Sequence, residues 1–293
     1  MNQLHTMRSE VVSKRREKFR ALHQSECFVI PNPWDVGSAR YLQHLGFAAL
    51  ATTSAGFAFS QGLPDSDLAL SRTQSLAHIA EIAASVELPV SADFVGGYGV
   101  EPEEVAQSVR LCVATGVAGL SIEDATGDRS APLYELPLAV ERIRAARRAI
   151  DEAGGGVLLT ARAECFHVGH PDALRESVRR LQAYAAAGAD VLFAPGLQYA
   201  EEIKNLVGEV CPTPVNVLIV RDIGLNVSQL AALGVRRISV GGALALAAWG
   251  GFQRAARLLR SDGSFAGPGG AASYAELNEL FAAELRERQS RKT

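Results

Sequence analysis

Long apolar runs are missing from this 293-residue chain; none reaches the roughly 18 residues of a membrane span. Lysine is scarce, with Lys14, Lys18, Lys204 and Lys292 the four present. None falls on a β-prone segment, which argues against a Schiff-base aldolase or a pyridoxal enzyme. The four cysteines (Cys27, Cys112, Cys165, Cys211) are scattered, without a CxxC pair or zinc spacing, so reduced thiols are expected. No GxGxxG, GxxxxGK[ST] or HExxH occurs, which weakens dinucleotide, P-loop and zinc-protease readings. With 29 basic and 32 acidic residues the net charge is −3, so there is no basic excess for a nucleic-acid partner. Residues 1–24 lack the apolar centre of a signal peptide, and no membrane partner is expected. The expected location is cytoplasmic.

What is present is a rhythm. β-Prone runs recur at 28–31, 48–53, 90–94, 120–124, 157–163, 191–194, 215–219 and 237–240, each followed by a turn and a helical stretch. Glu101, Pro102, Glu103 and Glu104 make a good helix start, since proline suits the first turn and acids suit the dipole. Gly46, Gly116, Gly188 and Gly234 sit shortly before strands. Eight β-then-α units predict an α/β fold, a (β/α)8 TIM barrel, over one domain spanning 1–293. An N-terminal helix is expected over 1–26 and a C-terminal helical extension over 251–293. An open doubly wound sheet is the alternative. The basic stretch 14–20 reads as the solvated face of the first helix.

Polar residues cluster where these strands should end: Asn32, Thr52-Thr53-Ser54, Asp93, Glu123-Asp124, Arg162, Glu164, Asn216 and Ser239. In a barrel, those ends carry the chemistry. Asp93 and Glu123, on neighbouring strands, would converge as oxygen ligands for a hard cation. Arg162 offers a planar fork to a substrate carboxylate. A structural salt-bridge network around Arg162 is the alternative. His167 and His170 follow strand five; either one reaches a ligand or both are simply solvated. Residues 125–133, with Gly127, Pro132 and few apolar anchors, are expected to form a lid.

The runs TTSAGFAFSQGLPD (52–65), VSADFVGGYG (90–99), GLSIED (119–124), TARAE (160–164), GADVLFAPGL (188–197) and GVRRISVG (234–241) resemble the isocitrate lyase/phosphoenolpyruvate mutase superfamily. The resemblance implies a (β/α)8 barrel, a 2-oxo or 2-hydroxy acid substrate, and Mg2+, with Mn2+ as a substitute. It also implies a homodimer or homotetramer whose last barrel helix is swapped between subunits. By position, Thr52, Thr53, Ser54 and Asn216 match substrate-binding residues, and Asp93 and Glu123 match metal-shell carboxylates. Arg162 matches the substrate-binding and catalytic arginine, and Asp65 a catalytic acid near the metal. Three departures stand out. Ser91 replaces the first acid of the family's Asp-x-Asp, residues 125–132 (ATGDRSAP) lack Lys-x-Cys-Gly-His, and Pro195 replaces a polar ligand. These argue against isocitrate or methylisocitrate cleavage and against the phosphonate branch that uses a loop lysine.

The resulting expectation is a Mg2+-dependent lyase that breaks a C–C bond of a small 2-oxo acid through an enolate, as in oxaloacetate decarboxylation. A phosphonopyruvate-type C–P mutase or hydrolase is the enzymatic alternative, with a phosphonate substrate. A non-catalytic 2-oxo-acid binding protein is the other.

Overall fold

The computed structural model describes residues 2–66, 69–267 and 269–290, with side chains from Ser9 onward. Lys292 and the last residues of the expected extension lie outside them. Eight strands form the expected barrel: β1 (Phe28–Ile30), β2 (Leu50–Ala51), β3 (Val90–Ala92), β4 (Gly119–Glu123), β5 (Leu158–Arg162), β6 (Val191–Phe193), β7 (Val215–Leu218) and β8 (Arg237–Ser239). They pair in parallel in the order β1-β8-β7-β6-β5-β4-β3-β2. Between β1 and β2 the ring is joined by Ala51 N–H donating to the Pro31 carbonyl at 3.1 Å. Asn32 buckles the same seam. Its amide donates to the Thr52 carbonyl at 2.9 Å, and its oxygen accepts from Val240 and Gly241 N–H at 3.0 and 2.9 Å.

Strand alternation sorts the side chains. Leu120 and Ile122 of β4, Leu159 and Ala161 of β5, and Ile238 of β8 point outward into the main core. There they meet Val105, Val109 and Cys112 of helix Pro102–Ala114 and Ala145, Ala146, Ala149 and Ile150 of helix Leu136–Glu152. The alternate residues, including Ser91, Ser121, Glu123, Thr160, Asn216, Arg237 and Ser239, are buried too. They fill the barrel with polar groups where branched apolar layers are usual. All four cysteines are free thiols, as expected.

Helix Asn2–Gln24 closes the base of the barrel. Phe19, fully buried, packs with Ile30, Ala49, Ala118 and Leu158. The basic stretch is less solvated than expected. Arg15 donates to the carbonyls of Ala83 and Val86, and Arg16 to those of Val113, Val117 and Gly155. Carbonyls at helix C-termini have no partner in their own helix, and these guanidinium groups supply one. Lys14, Glu17 and Lys18 remain exposed.

The chain parts into two compact units, one ending at Leu244 and the other starting at Ala245. The second contains helix Tyr274–Ser290. Among the described residues no helix is long and apolar enough to cross a membrane.

Gly119 is the point where the base helix meets the barrel. A Cβ there would lie 2.7 Å from Phe19 Cε1 and 3.0 Å from Ser91 Oγ. Phe19→Ala should cost about 3–5 kcal/mol, as buried aromatic truncations do. Gly119→Ala should cost less in the Phe19→Ala background than in wild type, because its main obstruction is then gone. Denaturant titration of the four proteins should give a coupling of at least ~1 kcal/mol; additivity would place Phe19 elsewhere.

Candidate active site

Strands β3, β4 and β5 end side by side, with Glu123 paired in register to Arg162. Asp93 lies one residue past β3. Arg162 Nη1 contacts Asp93 Oδ1 at 2.8 Å and Glu123 Oε2 at 3.0 Å. Its Nε and Nη2 both reach Glu164 Oε1 at 2.8 Å. The Phe193 ring lies 5.1 Å from the guanidinium carbon, within cation–π range. Burial alone would lower the Arg162 pKa, but Glu123, Glu164 and Asp93 outweigh it and hold the cation firmly protonated. Burial likewise opposes ionisation of Glu164, yet Arg162 and His167 keep its carboxyl below the ordinary range. Three carboxylates facing one guanidinium leave the mouth with a formal charge of −2.

The surrounding backbone fixes these carboxylates. Thr52 Oγ1 accepts from Asp93 N–H at 2.9 Å, while Ser54 donates both its N–H (3.0 Å) and its hydroxyl (2.9 Å) to Asp93 Oδ2. Thr53 caps helix Ser54–Ser60 by accepting from Gly56 N–H. Glu164 N–H donates to Asp124 Oδ1 at 2.9 Å, and Asp124 Oδ2 accepts from Arg180 and Tyr184. In the loop after β3, Val95 (φ 42) and Tyr98 (φ 56) adopt left-handed conformations. For a β-branched residue this is strained and needs support from its surroundings. The buried Arg142 provides it by donating to the carbonyls of Gly96, Gly99 and Val100. The Val95 carbonyl in turn accepts from Glu123 N–H at 3.1 Å, tying the loop that follows Asp93 to the end of β4.

The structure therefore joins Thr52, Ser54, Asp93, Glu123 and Arg162 in one contact chain. Arg162 is engaged by protein carboxylates, so the fork and the salt-bridge network are the same object. Asn216 belongs to a different group. Its oxygen accepts from Arg237 Nε at 2.8 Å and its amide donates to Ser239 Oγ at 2.9 Å. Arg237 also reaches Thr160 Oγ1 at 3.1 Å and His23 Nε2 at 3.4 Å. Fully desolvated beside neutral acceptors, Arg237 is pushed down to about 9. His23 is pushed down to about 3, by burial first and then by Arg237. It is neutral, giving its Nδ1 proton to the Phe19 carbonyl and presenting Nε2 as the acceptor.

Ser91 faces inward near the Gly119 position and brings no charge. Residues 125–133 form a closed excursion, pinned by an Ala125–Leu133 bridge and by Thr126 N–H to the Pro132 carbonyl at 3.0 Å. Cys165, beside Glu164, is buried and its thiol is pushed up to about 11, so it is not a thiolate acid/base.

Two neighbours were named in the sequence only as a strand-end acid and a loop histidine, without an assigned role at the site. Glu164 supplies the third carboxylate; its signal was the Arg-x-Glu spacing, which places both residues on one face. His167 Nδ1 lies 2.9 Å from Glu164 Oε2. Its signal was the three-residue spacing from Glu164, which brings the pair together only if the chain turns there. His170 is occupied differently, its Nδ1 accepting from Asp172 N–H at 3.2 Å.

Comparison with known proteins identifies relatives of the whole chain. A solved structure from Burkholderia cenocepacia J2315, called a lyase/mutase, superposes with TM-score 0.89 at 47% identity, covering 93% of this chain and 97% of that one. A second from the same organism, called a phosphonomutase, gives TM-score 0.75 at 34% identity over 85% and 98%. Oxaloacetate decarboxylase of Chromohalobacter salexigens is 31% identical, covering 80% of this chain and 81% of its own. The family model described as phosphoenolpyruvate phosphomutase matches residues 19–260. The chain belongs to that family, within the phosphoenolpyruvate mutase/isocitrate lyase superfamily of lyases and mutases.

Proposed function

We propose that this protein is a divalent-metal-dependent lyase that breaks a C–C bond of a small 2-oxo acid through an enolate, with oxaloacetate decarboxylation as the reaction. The observation that carries this reading is the cluster of three carboxylates around Arg162. The donors are oxygens, and the formal charge at the mouth is −2; even with Arg237 in the layer below, an excess of −1 remains. That chemistry fits a hard cation, and Mg2+ needs only one or two carboxylates because it keeps several waters. Asp93 and Glu123 would hold it. When bound, the metal would supply Lewis-acid stabilisation of the charge that grows on the C2 oxygen.

The chain's own residues do the rest. Arg162, permanently charged, binds the substrate carboxylate by exchanging one of its present carboxylate contacts for it. Ser54 and Thr52 keep Asp93 in place while this exchange occurs. Asp65, on the loop before helix Arg72–Ser85, would add negative charge near the metal, as its match to the family's acid implies. Decarboxylation requires no base to start, which suits a site whose nearest thiol is a poor nucleophile. Oxaloacetate decarboxylase is among the relatives, which supports this choice of substrate.

A panel of 2-oxo acids and phosphonates, assayed with and without Mg2+, tests the reading. Oxaloacetate should yield pyruvate and CO2, and chelator should abolish turnover. Asp93→Ala should lower kcat/KM by about 100-fold or more, the equivalent of several kcal/mol of lost charge stabilisation. Calorimetry of the same folded variant should show weakened Mg2+ binding. Phosphonate turnover would favour the C–P alternative, and binding without product the non-catalytic one.

We also propose that a second copy of this chain covers the C-terminal helix Ala243–Asp262, as the resemblance implies for swapped homo-oligomers. Leu246, Phe252 and Leu259 are each more than half exposed on it, beside Trp249. Exposed apolar surface of this kind marks an association site. Phe252→Glu should shift the molar mass in light scattering toward the monomer.

A further inference from the structure

His167 is the residue that the reading above leaves without a task. It lies in the loop after β5, three residues beyond Glu164, where Val168 N–H donates back to the Glu164 carbonyl at 3.0 Å and closes the turn. Its ring meets Glu164 through Nδ1 at 2.9 Å. An ionised carboxylate can only accept, so Nδ1 carries the proton in this bond. Nε2 is then the nitrogen that can take up or release a proton toward a ligand.

Two neighbours locate the ring. Glu164 Oε1 holds Arg162 at the centre of the mouth. The charge of Asp65 also acts on His167, although Asp65 follows β2 and His167 follows β5. One carboxylate, Glu164, thus holds the Arg162 guanidinium on Oε1 and the His167 ring on Oε2, which ties the imidazole to the strand ends at the mouth. The side chain is 61% exposed, so solvent can replace its proton.

We propose that His167, oriented by Glu164, is the catalytic acid that protonates C3 of the enolate. This deepens the decarboxylase reading and rests on it. Loss of CO2 from oxaloacetate leaves the C3–C4 electron pair as the enolate of pyruvate. The enolate's C3 takes the proton from Nε2, forming the C3–H bond of the methyl group and restoring the C2 carbonyl. The imidazolium becomes neutral imidazole and recovers a proton from water. The charges facing the ring suit this task. The Glu164 hydrogen bond is the largest influence and raises the His167 pKa, burial opposes it, and Asp65 raises it further against Arg162. The acid form is therefore held to higher pH than in a free histidine.

The sign of the pH effect follows. Proton delivery should be intact below the raised pKa of His167 and fall as pH rises through it. The experiment compares wild type and His167→Gln with oxaloacetate and Mg2+, recording CO2 release and the pyruvate ketone in parallel across pH. Wild type should release both together, with an alkaline decline in rate. In His167→Gln the ketone should lag behind CO2, because the enol leaves and tautomerises in solution. Ketone formation on the enzyme should drop by about 100-fold, the usual contribution of a positioned acid, and the alkaline decline should disappear. Circular dichroism should match wild type, since the side chain is mostly exposed. A variant with no lag and the wild-type pH profile overturns the role of His167. A wild-type enzyme inert toward oxaloacetate overturns the substrate reading first, and this step with it.

Discussion

A guanidinium buried among three carboxylates organises this molecule. Arg162 is 14% exposed as a side chain, and Glu123 and Glu164 are 10% and 4% exposed. Charges this far from water persist only when they are paired and hydrogen-bonded. The carboxylates come from three consecutive β-strand ends, so satisfying one cation aligns β3, β4 and β5 at the mouth. The supporting features follow from this demand. Ser54 and Thr52 bind Asp93, Asp124 holds the Glu164 backbone, and Arg142 fixes the strained loop after β3. The same arrangement leaves more negative than positive charge at the mouth.

The barrel interior continues the pattern downward. Arg237 and Asn216 form a second polar layer, and His23 and Phe19 of the first helix seal it from below. A cation here without a carboxylate is costly, and its weakened hold on its proton reflects that. The layer fixes which way the Asn216 amide points. One atom is given to Arg237 and the other to Ser239, so the Asn216 amide has a set orientation within that layer rather than a free rotor. The base helix therefore does more than cover apolar surface, since it completes the hydrogen bonding of the interior.

Eight strands and their order of chemistry were legible in the chain because each strand is short, apolar on its outward positions and bounded by turn residues. Asp93, Glu123 and Arg162 were legible for a related reason: charge at the end of an apolar run has few explanations. The bonds these residues make were not legible. Arg162 looked like an open fork, and the fold surrounds it with acids. Thr52 and Ser54 looked like ligand contacts, and their hydroxyls are engaged with Asp93. Arg15 and Arg16 looked like a solvated face, and they cap the ends of other helices.

The sequence by itself determined the periodicities, the family motifs and the inward or outward sense of each strand residue, since these depend on local alternation and spacing. Tertiary structure alone decided which polar groups met. Asp93 and Arg162 are 69 residues apart along the chain and 2.8 Å apart in space. Asn216 was drawn into the interior by Arg237, and His167 was brought against the Glu164 carboxylate that also holds Arg162. Such pairings are set by barrel closure and by the need to balance buried charge, and neither is written in any short stretch of sequence.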